Sequence, residues 1–183
     1  NTSLDAFVRV VSKLGPDAAV AQIRCLSRQP DEDGRVSAAL SFAQERLWFL
    51  YVSQPESAWY NMPAALRISG PFRPDLARTA IVAMIARHET LRTTIRVSEE
   101  GAPVQVIAPD MAPPLRVIDL VDHEQTAAVA EQLALDEIGA AFDLDSGPLW
   151  RVLVLRLDPS SWIVVFNMHH IISDGWSMAL LTD

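Results

Sequence analysis

Two apolar segments near the carboxyl end constrain the fold of this chain more than any other feature. They cover residues 149–157 and 162–168, and the turn-forming residues 158–161 (Asp-Pro-Ser-Ser) separate them. A short polar turn between two apolar, strand-like runs predicts an antiparallel hairpin. The second run is apolar at nearly every position, which is typical of a central strand that is covered on both faces. We therefore expect a layered fold with other elements packed on each side of this strand.

The remaining sequence supplies both helices and strands. Helices are predicted over residues 41–50, 74–88 and 124–142, and strands over 64–68, 91–97, 104–107 and 115–120. The apolar residues at helical spacing in the last two helices are Leu76, Ala80, Ile81, Met84 and Ile85, then Val129, Leu133, Leu135, Ile138 and Phe142. This mixture predicts the α/β class, in a layered α+β arrangement.

The first part of the chain looks separate from this unit. Apolar residues at helical spacing predict a helix over residues 4–14, and Gly15-Pro16 ends it. Residues 30–34 (Pro-Asp-Glu-Asp-Gly) are typical of a turn and are interpreted as a linker. We therefore divide the chain into a helical appendage over residues 1–35 and a main unit over 36–183. The appendage contains no Asp-Ser-Leu attachment site for a phosphopantetheine group.

Charge and composition narrow the classes of partner. The 183 residues carry 15 basic and 23 acidic side chains, a net charge of −8, which does not favour nucleic-acid binding. No apolar run reaches the roughly 18 residues of a membrane span, and no signal peptide is recognised. The lone Cys25 cannot form an internal disulfide, which favours a reducing compartment. We expect a cytoplasmic protein without membrane or nucleic-acid partners.

The segment that follows the buried strand carries the most chemistry. Residues 168–177 read Met-His-His-Ile-Ile-Ser-Asp-Gly-Trp-Ser. Neighbouring strand residues point to opposite faces, so one of His169 and His170 should be packed inside and the other free to react. A metal site is not favoured, because a chelating pair needs both imidazoles on one side. Ser177 lacks the Gly-x-Ser-x-Gly context of a nucleophile. Two structural core histidines are the alternative interpretation.

Two further segments are distinctive. Residues 41–50 read Ser-Phe-Ala-Gln-Glu-Arg-Leu-Trp-Phe-Leu, and residues 87–93 read Arg-His-Glu-Thr-Leu-Arg-Thr. Taken singly, the first is an amphipathic helix and the second a helix end whose basic residues complement the helix dipole. In this order, the three segments resemble the condensation domain of nonribosomal peptide synthetases. The His-His-x-x-x-Asp-Gly form is shared with chloramphenicol-acetyltransferase-like acyltransferases. Ile95 stands where an aromatic residue is commoner.

The resemblance implies a fold and a reaction. It covers about residue 37 to the end and implies the first of two acetyltransferase-like lobes, with a mixed sheet flanked by helices. The second lobe, which would complete a central tunnel, would be absent, so the fragment alone should be inactive. The implied reaction is amide formation between a donor acyl or peptidyl thioester and an acceptor aminoacyl thioester. Carrier proteins would present both on phosphopantetheine arms, with no metal and no directly bound cofactor.

The resemblance also assigns roles to residues. The candidate catalytic set is His170, His169, Asp174 and Gly175. His170 would meet the attacking amine, whereas strand alternation makes His169 structural. Asp174 would hold its loop by pairing with an arginine, and the candidates for that arginine lie mostly in the absent half. Gly175 would allow close backbone approach. Residues expected to support the motif or the channel are Ser177, Trp176, Arg46, Trp48, Arg87 and Arg92.

Two other functions remain open from the sequence alone. The chain could be a non-catalytic module that docks carrier proteins, although such a module need not keep His170. It could also be a coenzyme A-dependent acyltransferase of the same fold, against which residues 41–50 argue. Within the family, the motif favours the condensing type over epimerization, heterocyclization and degenerate recruiting types.

Overall fold

The computed structural model describes residues 28–177. In chain order, the elements are β1 (Val36–Ala39), α1 (Phe42–Ser53), β2 (Asn61–Ser69), α2 (Pro74–Arg87), a 3-10 turn (Glu89–Arg92), β3 (Thr93–Val97), β4 (Pro103–Ile107), β5 (Leu115–Asp119), α3 (Thr126–Gly139), β6 (Trp150–Asp158) and β7 (Ser161–His169). The helix expected over residues 4–14 and Cys25 lie outside the described residues. The boundary at residues 35 and 36 therefore stays a prediction. Between residues 28 and 177, no helix has the length and apolar character to cross a membrane.

A four-stranded mixed sheet in the order β2-β7-β6-β5 is the centre of the fold. The predicted hairpin is confirmed, because β6 and β7 pair antiparallel, whereas β5 joins β6 in parallel. Both faces of β7 are covered: Val164 and Met168 belong to one core cluster, and Val165 belongs to a second cluster beside α3. The even and odd residues of β7 therefore pack in different cores, which explains why the strand is apolar at nearly every position from Trp162 to Met168.

A second sheet, of three antiparallel strands in the order β1-β4-β3, was not predicted as a unit. Strand β1 is only four residues long, and its place depends on pairing with β4, where Val36 lies opposite Ile107. Residues 91 and 92 were expected in a strand but lie in the 3-10 turn. The Thr93 hydroxyl donates to the Glu89 carbonyl at 2.8 Å and so closes that turn. Short elements of this kind depend on tertiary pairing that sequence periodicity does not contain.

Helix α2 has nearly the predicted extent, but its buried face agrees only partly with the prediction. Ile81 and Ile85 are buried as expected, whereas Leu76 is 57% exposed. Ala77, one residue further along the helix, lines the apolar space against the large sheet together with Ile81 and Met84. Because successive helical residues differ by about 100° in direction, a face that includes Ala77 turns Leu76 away from the sheet.

Helix α3 ends where side chains from three strands bind its last carbonyls. The donors are Asn61 of β2, Arg151 of β6 and Asn167 of β7, and the acceptors are carbonyls of residues 137–141. These bonds satisfy carbonyls that a helix end leaves without internal partners. The helix therefore stops at Gly139 rather than at residue 142, and Phe142 is buried outside it. Leu135, expected on the apolar face of this helix, is 55% exposed.

Candidate functional site

The two adjacent histidines lie on different sides of the end of β7, as strand alternation predicts. His169 is the last residue of the strand and is 4% exposed, whereas His170 follows the strand and is exposed. The His170 N–H donates to the Tyr60 carbonyl at 2.8 Å, so the backbone stays fixed just after the strand ends. A rigid strand therefore delivers one accessible imidazole into the following loop.

The His170 ring is oriented by its own loop. Its Nδ1 lies 2.8 Å from the carbonyl oxygen of Ser173. A carbonyl oxygen can only accept a hydrogen bond, so Nδ1 carries a proton, and in the neutral ring Nε2 has a free lone pair. An imidazole in this form can accept a hydrogen bond or a proton from an amine at Nε2.

The His169 ring serves the interior. Its Nδ1 accepts the Ile171 N–H at 3.1 Å, and the ring meets Phe142 edge-on at 6.2 Å. Burial, with a smaller contribution from the neighbouring charge of His170, lowers the pKa of His169 to about 4. His169 is therefore neutral at physiological pH and holds the turn from beneath, on the other side from the His170 ring.

An open cavity of about 470 Å³ lies beside His170. The first and third motifs both line this cavity. The first contributes Ser41, Gln44 and Leu47, and the third contributes His170 and Asp174. A neighbouring cavity of about 170 Å³ joins the second motif to the third through His88 and Ser177. The three sequence motifs therefore converge on the loop that follows His170. Gln44, which lies inside the first motif, was not singled out by the sequence reasoning.

Asp174 organises the loop that follows His170. Its Oδ1 accepts the N–H of Ser177 at 2.8 Å and the Ser177 hydroxyl at 2.7 Å, at the start of a helical turn. These two hydrogen bonds hold the pKa of Asp174 below its usual range. The ion pairs among residues 28–177 do not include Asp174. In the described part of the chain, Asp174 acts as a helix cap.

Replacing Asp174 with alanine should weaken this cap by about 1 kcal/mol. The Ser177 amide would lose its acceptor, and its hydrogen exchange should become about fivefold faster. Asp174→Asn keeps an acceptor oxygen at the same place and should leave exchange close to that of the original chain. Equal acceleration in both variants would contradict the capping role.

The other motif residues occupy different environments. Gly175 does not adopt a positive φ, and a Cβ added there meets nothing within 4 Å among the described residues. Nothing among residues 28–177 therefore requires glycine here, and the expected close backbone approach at Gly175 stays a prediction. Trp176 is 77% exposed. The Ser177 hydroxyl donates to Asp174 rather than to His170.

The motif arginines divide into surface and scaffold positions. Arg46 and Arg87 are exposed. Arg92 is largely buried; it donates to the Ala108 carbonyl and lies 3.8 Å from Glu89. The Trp48 ring packs against the main core cluster. None of these side chains lines the cavity beside His170, which agrees with a supporting role. Residues 28–177 also contain no group of three His, Cys, Asp or Glu side chains placed to hold a metal ion.

Known proteins resemble this chain over the region that contains the three motifs. Residues 35–183 match the family model described as the condensation domain. Phosphinothricin tripeptide synthetase PhsC of Streptomyces viridochromogenes is 41% identical over 179 residues, which is 97% of this chain and 16% of that protein. Nonribosomal peptide synthetase agiA of Aspergillus flavus is 44% identical over 144 residues, which is 77% of this chain and 2% of that protein. The chain thus spans a small part of the length of these relatives.

Solved structures agree with these sequence matches. The starter condensation domain of rhizomide synthetase RzmA superposes with a TM-score of 0.73 and 28% identity, over 80% of this chain and 35% of that one. The first condensation domain of the calcium-dependent antibiotic synthetase, in complex with a substrate analogue, gives a TM-score of 0.71 and 29% identity, over 79% of this chain and 35% of that one. These matches confirm the expected fold class and the resemblance carried by the three motifs: the chain belongs to the condensation-domain family.

Proposed function

We propose that this chain supplies the histidine-bearing lobe of a domain that joins two carrier-bound thioesters by an amide bond. One observation carries the proposal. His170 emerges at the end of a buried strand with Nδ1 bound to the Ser173 carbonyl and Nε2 left as an acceptor, and it lines an open cavity. An imidazole held in this way suits an amine as its partner, because an amine offers N–H groups to the free nitrogen.

The proposed step conserves atoms and charge. The α-amine nitrogen of the acceptor attacks the thioester carbonyl carbon of the donor, the C–N bond forms, the C–S bond breaks, and the donor arm leaves as its thiol. The proton lost by the amine ends on the departing sulfur, either directly or by way of His170 Nε2. His170 can therefore act as a general base or can hold the amine in line and stabilise the intermediate.

Magnitudes favour positioning over proton removal. An α-amine with a pKa near 7.7–8.0 is roughly a tenth or more neutral at pH 7, so supplying the neutral form costs only about 1 kcal/mol. Bringing two tethered reactants together in the correct orientation can lower the barrier by about 7–11 kcal/mol. Orientation can therefore contribute as much as proton removal, and we assign His170 to orienting the amine.

The proposal requires partners that lie outside this chain. The matched condensation domains are longer, and the chain covers 35% of each of the two solved structures described above. We propose that the rest of the same domain completes the reaction centre, and that carrier proteins deliver both substrates on phosphopantetheine arms. The arms are parts of the substrates rather than a resident cofactor. The single cysteine supports a reducing compartment, and we place the reaction in the cytoplasm.

A transfer assay with carrier-bound substrates tests the function. The complete synthetase that contains this chain is mixed with a donor carrier and an acceptor carrier, each loaded with a thioester, and the acceptor carrier is weighed by intact-protein mass spectrometry. We expect its mass to rise by the donor acyl group, with no rise when its α-amine is acetylated beforehand. The 183-residue chain alone should give no product.

Two outcomes would replace the proposal. Binding of both carriers by the complete protein without any transfer would indicate a docking module. Turnover of free coenzyme A thioesters in the absence of carriers would indicate a coenzyme A-dependent acyltransferase.

A further inference from the structure

Gln44 connects helix α1 to the loop that carries His170. Its Nε2 donates to the carbonyl of Ile171 at 3.2 Å and to Oε1 of Gln105 at 3.0 Å. Its Oε1 accepts the backbone N–H of Ser41 at 2.9 Å, at the start of the helix. Gln105 in turn donates to the carbonyl of Ala39 at 3.0 Å. One side-chain amide thus ties a helix start and the small sheet to the peptide that follows His170.

The donor capacity of the Gln44 amide is already used. Both Nε2 hydrogens have an acceptor and Oε1 has one donor, so the group has no N–H left to offer a substrate even though it lines the cavity. An amide engaged in this way beside a reactive side chain acts on the geometry of its neighbours. The neighbour that matters is the carbonyl of Ile171, which lies between His170 and its ring acceptor, Ser173.

We infer that Gln44 is a positioning residue for His170, acting through the Ile171 carbonyl. The turn over residues 169–173 must keep the Ser173 carbonyl at 2.8 Å from His170 Nδ1 to fix the ring and its tautomer. The Ile171 N–H is held from beneath by His169, and the carbonyl of the same residue is held from above by Gln44. Releasing that carbonyl leaves the Ile171–Ile172 peptide held through the Ile172 N–H, which donates to the His169 carbonyl at 3.1 Å. The peptide can then tilt about that bond, and the Ser173 acceptor moves with it.

Two variants of similar size separate positioning from simple stabilisation. Gln44→Met removes the bonds to Ile171, Gln105 and the Ser41 N–H, whereas Gln105→Met removes the bonds to Gln44 and Ala39 but leaves the bond to Ile171. Both weaken the contact between α1 and β4, so the unfolding free energy should fall in both variants, and further in Gln44→Met, which also loses the bond at the helix start. Only Gln44→Met should disturb His170.

The first readout does not depend on any reaction. In the 183-residue chain labelled with ¹⁵N-histidine, at a pH where the His170 ring is neutral, its nitrogens should show a protonated Nδ1 and an unprotonated Nε2 in the original chain and in Gln105→Met. In Gln44→Met, we expect a mixture of both tautomers. An unchanged Nδ1–H signature in a folded Gln44→Met chain overturns the inference, whatever the chain's function.

The second readout rests on the proposed function. In the complete synthetase, Gln44→Met should lower the single-turnover condensation rate about 10- to 100-fold, the range expected for a small misplacement of a catalytic group. The carrier concentration at half-maximal rate should not change, and Gln105→Met should stay near the original rate. Equal rates for the two variants would leave Gln44 with a structural role only. Loss of the tautomer preference without any condensation in the original protein would instead overturn the proposed function.

Discussion

Replacing His170 with alanine is expected to lower amide formation by about 10²–10⁴-fold in the complete synthetase. The side chain is exposed, so its removal should leave the stability of the lobe almost unchanged. Loading of both carriers should be normal, and the loss should appear only in the transfer step. The measurement is the single-turnover rate of amide formation with preloaded carriers, followed by mass spectrometry.

A glutamine at position 170 separates the two roles proposed for the ring. Glutamine can accept a hydrogen bond from an amine but cannot take its proton at neutral pH. If positioning dominates, His170→Gln should retain clearly more activity than His170→Ala; if proton transfer dominates, the two variants should be equally impaired. His123→Ala is the matched control, since His123 is an exposed histidine in the loop between β5 and α3. Near-normal condensation by His170→Ala would refute the assignment.

The parts of the fold that could be predicted are those whose local pattern agrees with their environment. The β6–β7 hairpin was readable because a polar turn separates two apolar runs and both faces of the sheet are covered. Strand β1 was missed because its four residues carry no pattern of their own and are placed by pairing with β4. Leu76 was misplaced because periodicity gives the spacing of an apolar face but not its rotation.

In the candidate site too, local geometry could be predicted from the sequence and long-range contacts could not. Strand alternation predicted that His169 and His170 would separate, because it depends only on backbone geometry. The contacts of Gln44 could not be predicted, because they join residues 61 and 127 positions apart in the sequence. The capping pair of Ser41 and Gln44 is a recognisable local signal for a helix start. That signal identifies the cap but does not show that the same amide also binds the loop after His170.

The environment of His169 leads to a large effect of acid on stability. The ring is neutral in the folded chain, where its pKa is about 4, and it would protonate near pH 6.5 once unfolded. Above pH 6.5 both states are neutral, so the group has no effect on stability. Between pH 6.5 and 4 only the unfolded state gains the proton, and the free energy of unfolding should fall by about 3 kcal/mol. Below pH 4 this loss no longer grows.

His169→Asn isolates this contribution from other effects of acid. Asparagine cannot titrate, but its side-chain oxygen can replace Nδ1 as the acceptor for the Ile171 N–H. Carboxylates with a lowered pKa, such as Asp143 and Asp174, also destabilise the fold in acid, but they do so in both proteins and cancel in the comparison. Urea unfolding at pH 7 and at pH 4 measures how much unfolding free energy each protein loses in acid. We expect this loss to be about 3 kcal/mol smaller in His169→Asn than in the original chain. If His169→Asn is too unstable to measure, the NMR titration of the original chain decides, since a folded His169 that protonates near pH 6 would be incompatible with a desolvated ring beneath the loop.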